Sequence, residues 1–218
     1  MYDQTHGNAF NEVLRQMDKP SCVRLALQLI DSGVMDLVEL YAEVLAPALN
    51  QITRDEENEA TAIWREHIRS SIIRTIIECC YPRVIETIEK QGIQLDKGKV
   101  VLVSPADEYH ELGLRMGADF FTLCGYQALY VGSDTPQNEL IDGLKRDNPD
   151  YVVINAVNFY NVFKVKKLVA AIKDAVPDVK VLCSGQAFRH DPTLQEQIGA
   201  LALIETIDDI RNLEGGII

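Results

Sequence analysis

The hydrophobic pattern of this chain changes period once, at Gln91-Gly92-Ile93-Gln94-Leu95-Asp96-Lys97-Gly98-Lys99. Ahead of that stretch apolar residues recur at helical spacing. Beyond it, short apolar runs alternate with helical ones. Such a chain divides into an all-helical part and an α/β part, here read as residues 1–92 and 97–218. Strands that alternate with helices predict a parallel sheet covered on both faces.

The amino-terminal pattern offers helices over Asn8 to Met17, Ser21 to Asp31 and Asp36 to about Ile52. Ser21, just after Pro20, reads as the cap of the second, and Pro47 kinks or interrupts the third. Glu59 to Ile77 follows, with Ala60, Ile63, Trp64, Ile68, Ile72 and Ile76 at its apolar or small positions. A separate helix, Pro82 to Lys90, ends near Gly92. Stripes of this kind pack as a small bundle, with Trp64 as a core residue.

The second part reads as strands Lys99 to Val103, Ala128 to Val131, Tyr151 to Ile154, Val179 to Cys183 and an edge at Ala200 to Leu203. Helices fall at Leu112 to Cys124, Pro136 to Asp147, Val162 to Ala175 and Pro192 to Ile198. Gly132-Ser133-Asp134-Thr135-Pro136 closes the second strand and opens a helix with proline in its first turn.

One histidine stands where the first strand gives way to a helix, in Glu108-Tyr109-His110-Glu111-Leu112-Gly113. Open α/β sheets hold ligands at this carboxyl edge. His110 can offer one ring nitrogen to a metal while a carboxylate two residues earlier orients the other. It can equally be a solvated histidine near a helix start. Residues 114 to 154 then give 41 positions before Asn155-Ala156-Val157, and residues 158 to 183 give 26 before Ser184-Gly185.

These three anchors and their separations resemble the cobalamin-binding domain shared by methionine synthase, corrinoid methyl-carrier proteins and light-responsive cobalamin regulators. That family carries Asp-x-His-x-x-Gly, Ser-x-Leu and Gly-Gly at such spacing. The resemblance covers residues 97 to 218 and implies a Rossmann-like, flavodoxin-like sheet. It implies that the sheet binds adenosylcobalamin or methylcobalamin with the benzimidazole base displaced and His110 as the lower axial ligand of cobalt. Glu108, standing where the family has Asp, would polarise the imidazole, and Gly113 would let the backbone approach the nucleotide tail. Asn155 and Val157 stand for Ser and Leu, and Ser184 and Gly185 for the glycine pair. All four are cofactor-binding candidates, and Asn155 would add bulk in the slot for the displaced base.

The helical part resembles the cap that covers the upper face of cobalt in the light-responsive regulators. Leu45-Ala46-Pro47-Ala48-Leu49 resembles an upstream cap segment, and Glu66-His67 aligns with the family's Glu-His pair. The position ten residues before Glu66, where the regulators have Trp, is Glu56; the single tryptophan is Trp64. The resemblance thus makes Trp64, Glu66 and His67 the candidate cap residues. Trp64 and His67 share one helix face and Glu66 points away from it.

Composition excludes several classes. A net charge of -12 opposes binding to nucleic acid, and no apolar run is long enough for a membrane helix. Met1-Tyr2-Asp3-Gln4-Thr5-His6-Gly7 lacks the pattern of a secretory signal, and five cysteines without a Cys-x-x-Cys pair read as reduced thiols. The expected setting is the cytoplasm. No phosphate-binding glycine loop and no nucleophile elbow is present, so independent catalysis has no support. The function expected first is a cobalamin sensor, light-responsive in the regulator manner, signalling through a protein partner or its own oligomer. A corrinoid protein ferrying methyl groups between methyltransferases is the alternative. A cobalamin fold that has lost its cofactor and serves as an interaction module is the third.

Overall fold

The computed structural model describes residues 5–51 and 59–214. It contains two compact units, Met1–Thr87 and Ile88–Ile218, the first helical and the second a parallel sheet with its helices.

In the helical unit, α1 (Thr5–Arg15) and α2 (Lys19–Asp31) are joined through Met17, whose φ is 57°. Asp18, not Ser21, caps α2: its carboxylate accepts the Ser21 N–H at 3.1 Å. Pro20 has no N–H, so the cap reaches one residue further to its first free donor. α3 (Leu37–Glu39) opens with a capping box between Asp36 and Glu39 and passes through a π-helical turn, Leu40–Leu45, into α4 (Ala46–Gln51). The interruption expected at Pro47 takes this form. Proline cannot donate to the Glu43 carbonyl, and the neighbouring Ala46 N–H reaches back five residues to Tyr41. The expected end at Ile52, the position Glu56 and the last residues from 215 lie outside the described residues.

The break expected between Ile77 and Pro82 does not occur. α5 (Ala62–Gln91) runs for 30 residues with Pro82 inside it. An interior proline costs about 3 kcal/mol. Ile72, Ile73, Ile76, Ile77, Cys80 and Val84 bury one face straight through it. Burial of two such aliphatic side chains, at roughly 1.5–3 kcal/mol each, offsets that cost. Arg83, just beyond the proline, also ties α5 to the end of α2 through Asp31 at 2.7 Å. Trp64 departs from its expected place in the core, since it is 72% exposed. The apolar stripe that enters the core begins with Ile72, two turns later.

In the second unit β1 (Lys99–Pro105), β2 (Gln127–Thr135), β3 (Tyr151–Asn155), β4 (Lys180–Ser184) and β5 (Ala202–Leu203) form one sheet of order β2-β1-β3-β4-β5. Every pairing is parallel. This is the flavodoxin-like order expected from the sequence. One face packs Val101 and Val103 under α7 (Gln137–Asp147), α8 (Val162–Ala175), α9 (Gln186–His190) and α10 (Thr193–Ile198). The other packs Val100 and Leu102 under α6 (Leu112–Leu123) and α11 (Ile207–Arg211). Burial on both faces is why these strands read as unbroken apolar runs.

β2 continues past Val131 through Gly132-Ser133-Asp134-Thr135, and Pro136 is the cap residue of α7 instead of a first-turn residue. The register against β1 slips after Leu102 and again after Val103, which lets the strand extend through Gly132 and Asp134 at positive φ. β4 and β5 begin slightly later than expected, and α9 and α11 were not legible as helices in the sequence. The chain leaves β1 toward β2 on one side and returns to β3 on the other. The carboxyl ends of β1 and β3 therefore flank the crevice where this topology takes ligands.

We expect the two units to fold separately, because each has its own core. A polypeptide beginning at Ile88 should give a mixed α/β far-ultraviolet spectrum and a single cooperative urea transition. A fragment without a transition would show that the sheet depends on the helical unit.

Candidate functional site

The loop from Asp107 to Glu111 joins β1 to α6 and is pinned from several sides. Asp107 takes a φ of 66°. Its N–H donates to the Asp134 carboxylate at 2.9 Å, and its own carboxylate meets Lys164 Nζ at 2.6 Å. The Asp134 N–H returns to the Glu108 carbonyl at 3.3 Å. The Gly132–Pro136 segment thus anchors the histidine loop, a role beyond helix capping. Glu111 accepts from the Tyr130 hydroxyl at 2.9 Å, fixing the other end of the loop to β2.

Glu108 is buried beneath this loop, 1% exposed. One oxygen, Oε1, accepts from His110 N–H at 3.2 Å and lies 2.6 Å from His110 Nδ1. The other, Oε2, accepts from the backbone N–H of Val157 and Asn158, both at 3.1 Å, and from Asn161 Nδ2 at 3.0 Å. Burial by itself raises this carboxyl group's pKa. The bonds from His110, Asn161 and the backbone of Asn158 outweigh it and hold the group at about 2. An ionised carboxylate only accepts, so the ring nitrogen facing it, Nδ1, carries a proton. The His110 side chain is 53% exposed.

The other sequence candidates of this unit gather around the same edge. Asn155 Nδ2 donates to the His110 carbonyl at 2.8 Å and to Ser104 Oγ at 3.3 Å. Asn155 and Ser184 pair across β3 and β4. Gly185 follows with φ 108° and ψ 163°, a conformation nearly confined to glycine. A Cβ there would collide with the Ala156 carbonyl oxygen and stand 2.7 Å from Asn155 Oδ1. Gly113 is the opposite case, since no atom lies within 4 Å of a Cβ at that position. Glu108, His110, Asn155, Val157, Ser184 and Gly185 are therefore brought together, and Gly113 borders open space on α6.

Sequence reasoning missed Asn158 and Asn161. Their signal was Asn158-Phe159-Tyr160-Asn161 ahead of an apolar helix, a pair of cap-forming residues whose link to Glu108 only the fold reveals. In the helical unit, Trp64 and His67 line one groove of about 380 Å³ with Met17, Lys19, Ile68, Ser71 and Ile72. Glu66 is not among its lining residues, in keeping with its place off that helix face.

None of the five cysteines is joined in a disulfide. Burial pushes the Cys22 thiol up to about 11 and the Cys183 thiol up to about 12. Among the described residues no helix is long and apolar enough to cross a membrane, and no three His, Cys, Asp or Glu side chains gather around a possible metal.

Two family profiles, each described as a B12 binding domain, match the chain, one over residues 98–210 and the other over residues 8–81. A corrinoid protein of Desulfitobacterium hafniense is 28% identical over 138 residues, 60% of this chain; the match spans 62% of that relative's length. The monomethylamine corrinoid protein of Methanosarcina barkeri has the same fold. Its TM-score is 0.78 at 14% identity, over 97% of this chain and 98% of that one.

Proposed function

The chain belongs to the B12 binding domain family, and from that premise we propose that it is a corrinoid protein carrying a one-carbon group between methyltransferases. His110 is the ligand beneath the cobalt in this reading. The observation that carries it is the state of His110: Nδ1 held by a buried, ionised carboxylate and the opposite ring nitrogen on a half-exposed side chain. A carboxylate in that position fixes tautomer and ring orientation and raises the basicity of the opposite ring nitrogen.

The donor set fits a corrinoid. A lone imidazole supplies one ligand, so a metal here must bring the rest itself, as a corrin macrocycle does. The open space beside Gly113 suits an approaching nucleotide tail, and Asn155, Val157, Ser184 and Gly185 stand where the displaced base would lie. A bound corrinoid supplies a cobalt centre that accepts and releases the one-carbon group. The protein's part is to present Nε2 and to keep the loop that carries it in place.

The corrinoid relative supports the carrier over the light-responsive sensor that the cap residues first suggested. The sensor stands second, favoured by the shared groove of Trp64 and His67. If the protein is a sensor, illumination of the adenosylcobalamin-loaded form changes its oligomeric state or its protease sensitivity. A carrier responds to neither and exchanges methyl groups with a methyltransferase.

His110→Ala tests the ligand assignment. The variant should bind hydroxocobalamin at least roughly tenfold more weakly than the wild type, given what even outer partners of metal ligands contribute. Its visible spectrum should lose the histidine-ligated form. A spectrum identical to wild type would remove His110 from cobalt.

A further inference from the structure

α5 buries one face and exposes a second with a spacing of its own. His67, Ser71, Arg74, Glu78, Tyr81 and Ile85 are all exposed and follow one another at intervals of four, three, four, three and four residues. Alternation of this kind keeps side chains in a single seam along a helix. The core face, from Ile72 to Val84, is turned about 140° from it at 3.6 residues per turn. We propose that this seam is where two copies of the chain associate, their α5 helices antiparallel about a two-fold axis midway between Arg74 and Glu78. Association of this kind needs no corrinoid, so it stands apart from the carrier reading.

Three observations commit the seam to a second copy. The first is its charge. Arg74 and Glu78 stand at the centre, equally far from the axis, so an antiparallel copy sets each arginine against a glutamate. A parallel copy would set like charge against like, which is unfavourable. The centre is therefore self-complementary in one direction, as a two-fold interface requires.

The second is the order of residues on either side. The same axis brings Tyr81 of one copy to Ser71 of the other, a large side chain to a small one. It brings Ile85 to His67. Tyr81 is 43% and Ile85 39% exposed, so each has apolar surface left to bury.

The third is the groove of about 380 Å³ at the amino-terminal end of the seam. His67 and Ser71 line it together with Trp64, which is 72% exposed. The antiparallel register delivers Tyr81 and Ile85 of the second copy to this groove, and side chains seated between residues of a facing helix are what interlocks two helices. The seam from His67 to Ile85 is only about 27 Å long. So short an interface makes a reversible dimer whose population rises with concentration.

The test is sedimentation velocity of the full-length chain, without corrinoid, over a roughly hundredfold range of concentration. The wild type should pass from monomer to dimer across that range. Ile85→Lys, Arg74→Glu and Glu78→Arg should each weaken association roughly tenfold or more. An equimolar mixture of Arg74→Glu and Glu78→Arg should regain it, because the acidic centre of one chain then meets the basic centre of the other. That recovery cannot come from within a helix, since positions 74 and 78 of each chain still carry like charges.

Far-ultraviolet spectra check that the variants fold, and if Ile85→Lys does not, the charge mixture carries the comparison. A wild type that stays monomeric throughout would overturn the proposal and return the groove to the upper ligand of the sensor reading. A dimer indifferent to the charge variants would overturn it too, as would weakened variants that fail to associate when mixed.

Discussion

Gly185→Ala is expected to destabilise the protein by about 3 kcal/mol or more, one of the largest single-residue effects available in the sheet. Two costs add. The backbone at φ 108° and ψ 163° is strained for any residue with a Cβ, and the new methyl would collide with the Ala156 carbonyl oxygen. Neither end can yield cheaply, because Ala156 N–H is bonded to the Ser184 carbonyl at 2.9 Å in the same strand ends. The methyl would also press on Asn155 Oδ1, and Asn155 is the residue that holds the His110 carbonyl. Urea denaturation would measure the loss, with Gly113→Ala as its counterpart. Gly113 lies in α6 with open space around its missing Cβ, so alanine there should stabilise the corrinoid-free protein by up to about 1 kcal/mol. The same methyl should weaken cobalamin binding if the nucleotide tail passes α6. A Gly185→Ala protein as stable as the wild type would contradict the geometry at the end of β4.

The fold was legible where burial on both faces of the sheet left unbroken apolar runs, as in Val100–Val103 and Tyr151–Ile154. The same reasoning located α6 and α8, whose buried positions follow helical spacing. It failed where a distant contact overrode a local signal. Pro82 reads as a helix end, but the face from Ile72 to Val84 is buried as one surface, and α5 runs through the proline. Trp64 reads as core by its place in the stripe, but the stripe turns inward only later. At the sheet edge, anchor spacing picked out Glu108, His110, Asn155 and Gly185, because strand ends hold fixed distances along a chain of this topology. It could not pick out Asn161, whose role depends on a three-residue turn, Phe159–Asn161, folding back toward a carboxylate about fifty residues earlier. Asparagine before a helix signals a cap, and only the structure shows this amide turned elsewhere.

Glu108→Gln should have the second large effect, and its dependence on pH identifies the cause. The carboxylate accepts five donors while buried, and a glutamine amide replaces one accepting oxygen with a donor that faces other donors. Its folded pKa of about 2 lies below the ordinary 4.5. A group whose pKa is depressed on folding contributes stability that is present above the unfolded value and lost as pH falls through the folded one. At 1.36 kcal/mol per unit, the difference amounts to roughly 3 kcal/mol at neutral pH. The gap in unfolding free energy between wild type and Glu108→Gln should therefore hold steady from pH 7 to about 5 and close as pH approaches 2. A gap that persisted undiminished at pH 2.5 would assign the loss to packing instead of charge. The substitution also reaches the proposed ligand. A glutamine nitrogen placed against Nδ1 donates to it and drives the ring proton to Nε2, the nitrogen whose lone pair the proposed ligand role requires. Glu108→Gln should then lose the histidine-ligated cobalamin spectrum even though His110 is intact. Glu108→Asp, which keeps the charge but withdraws it by one methylene, should recover part of that spectrum.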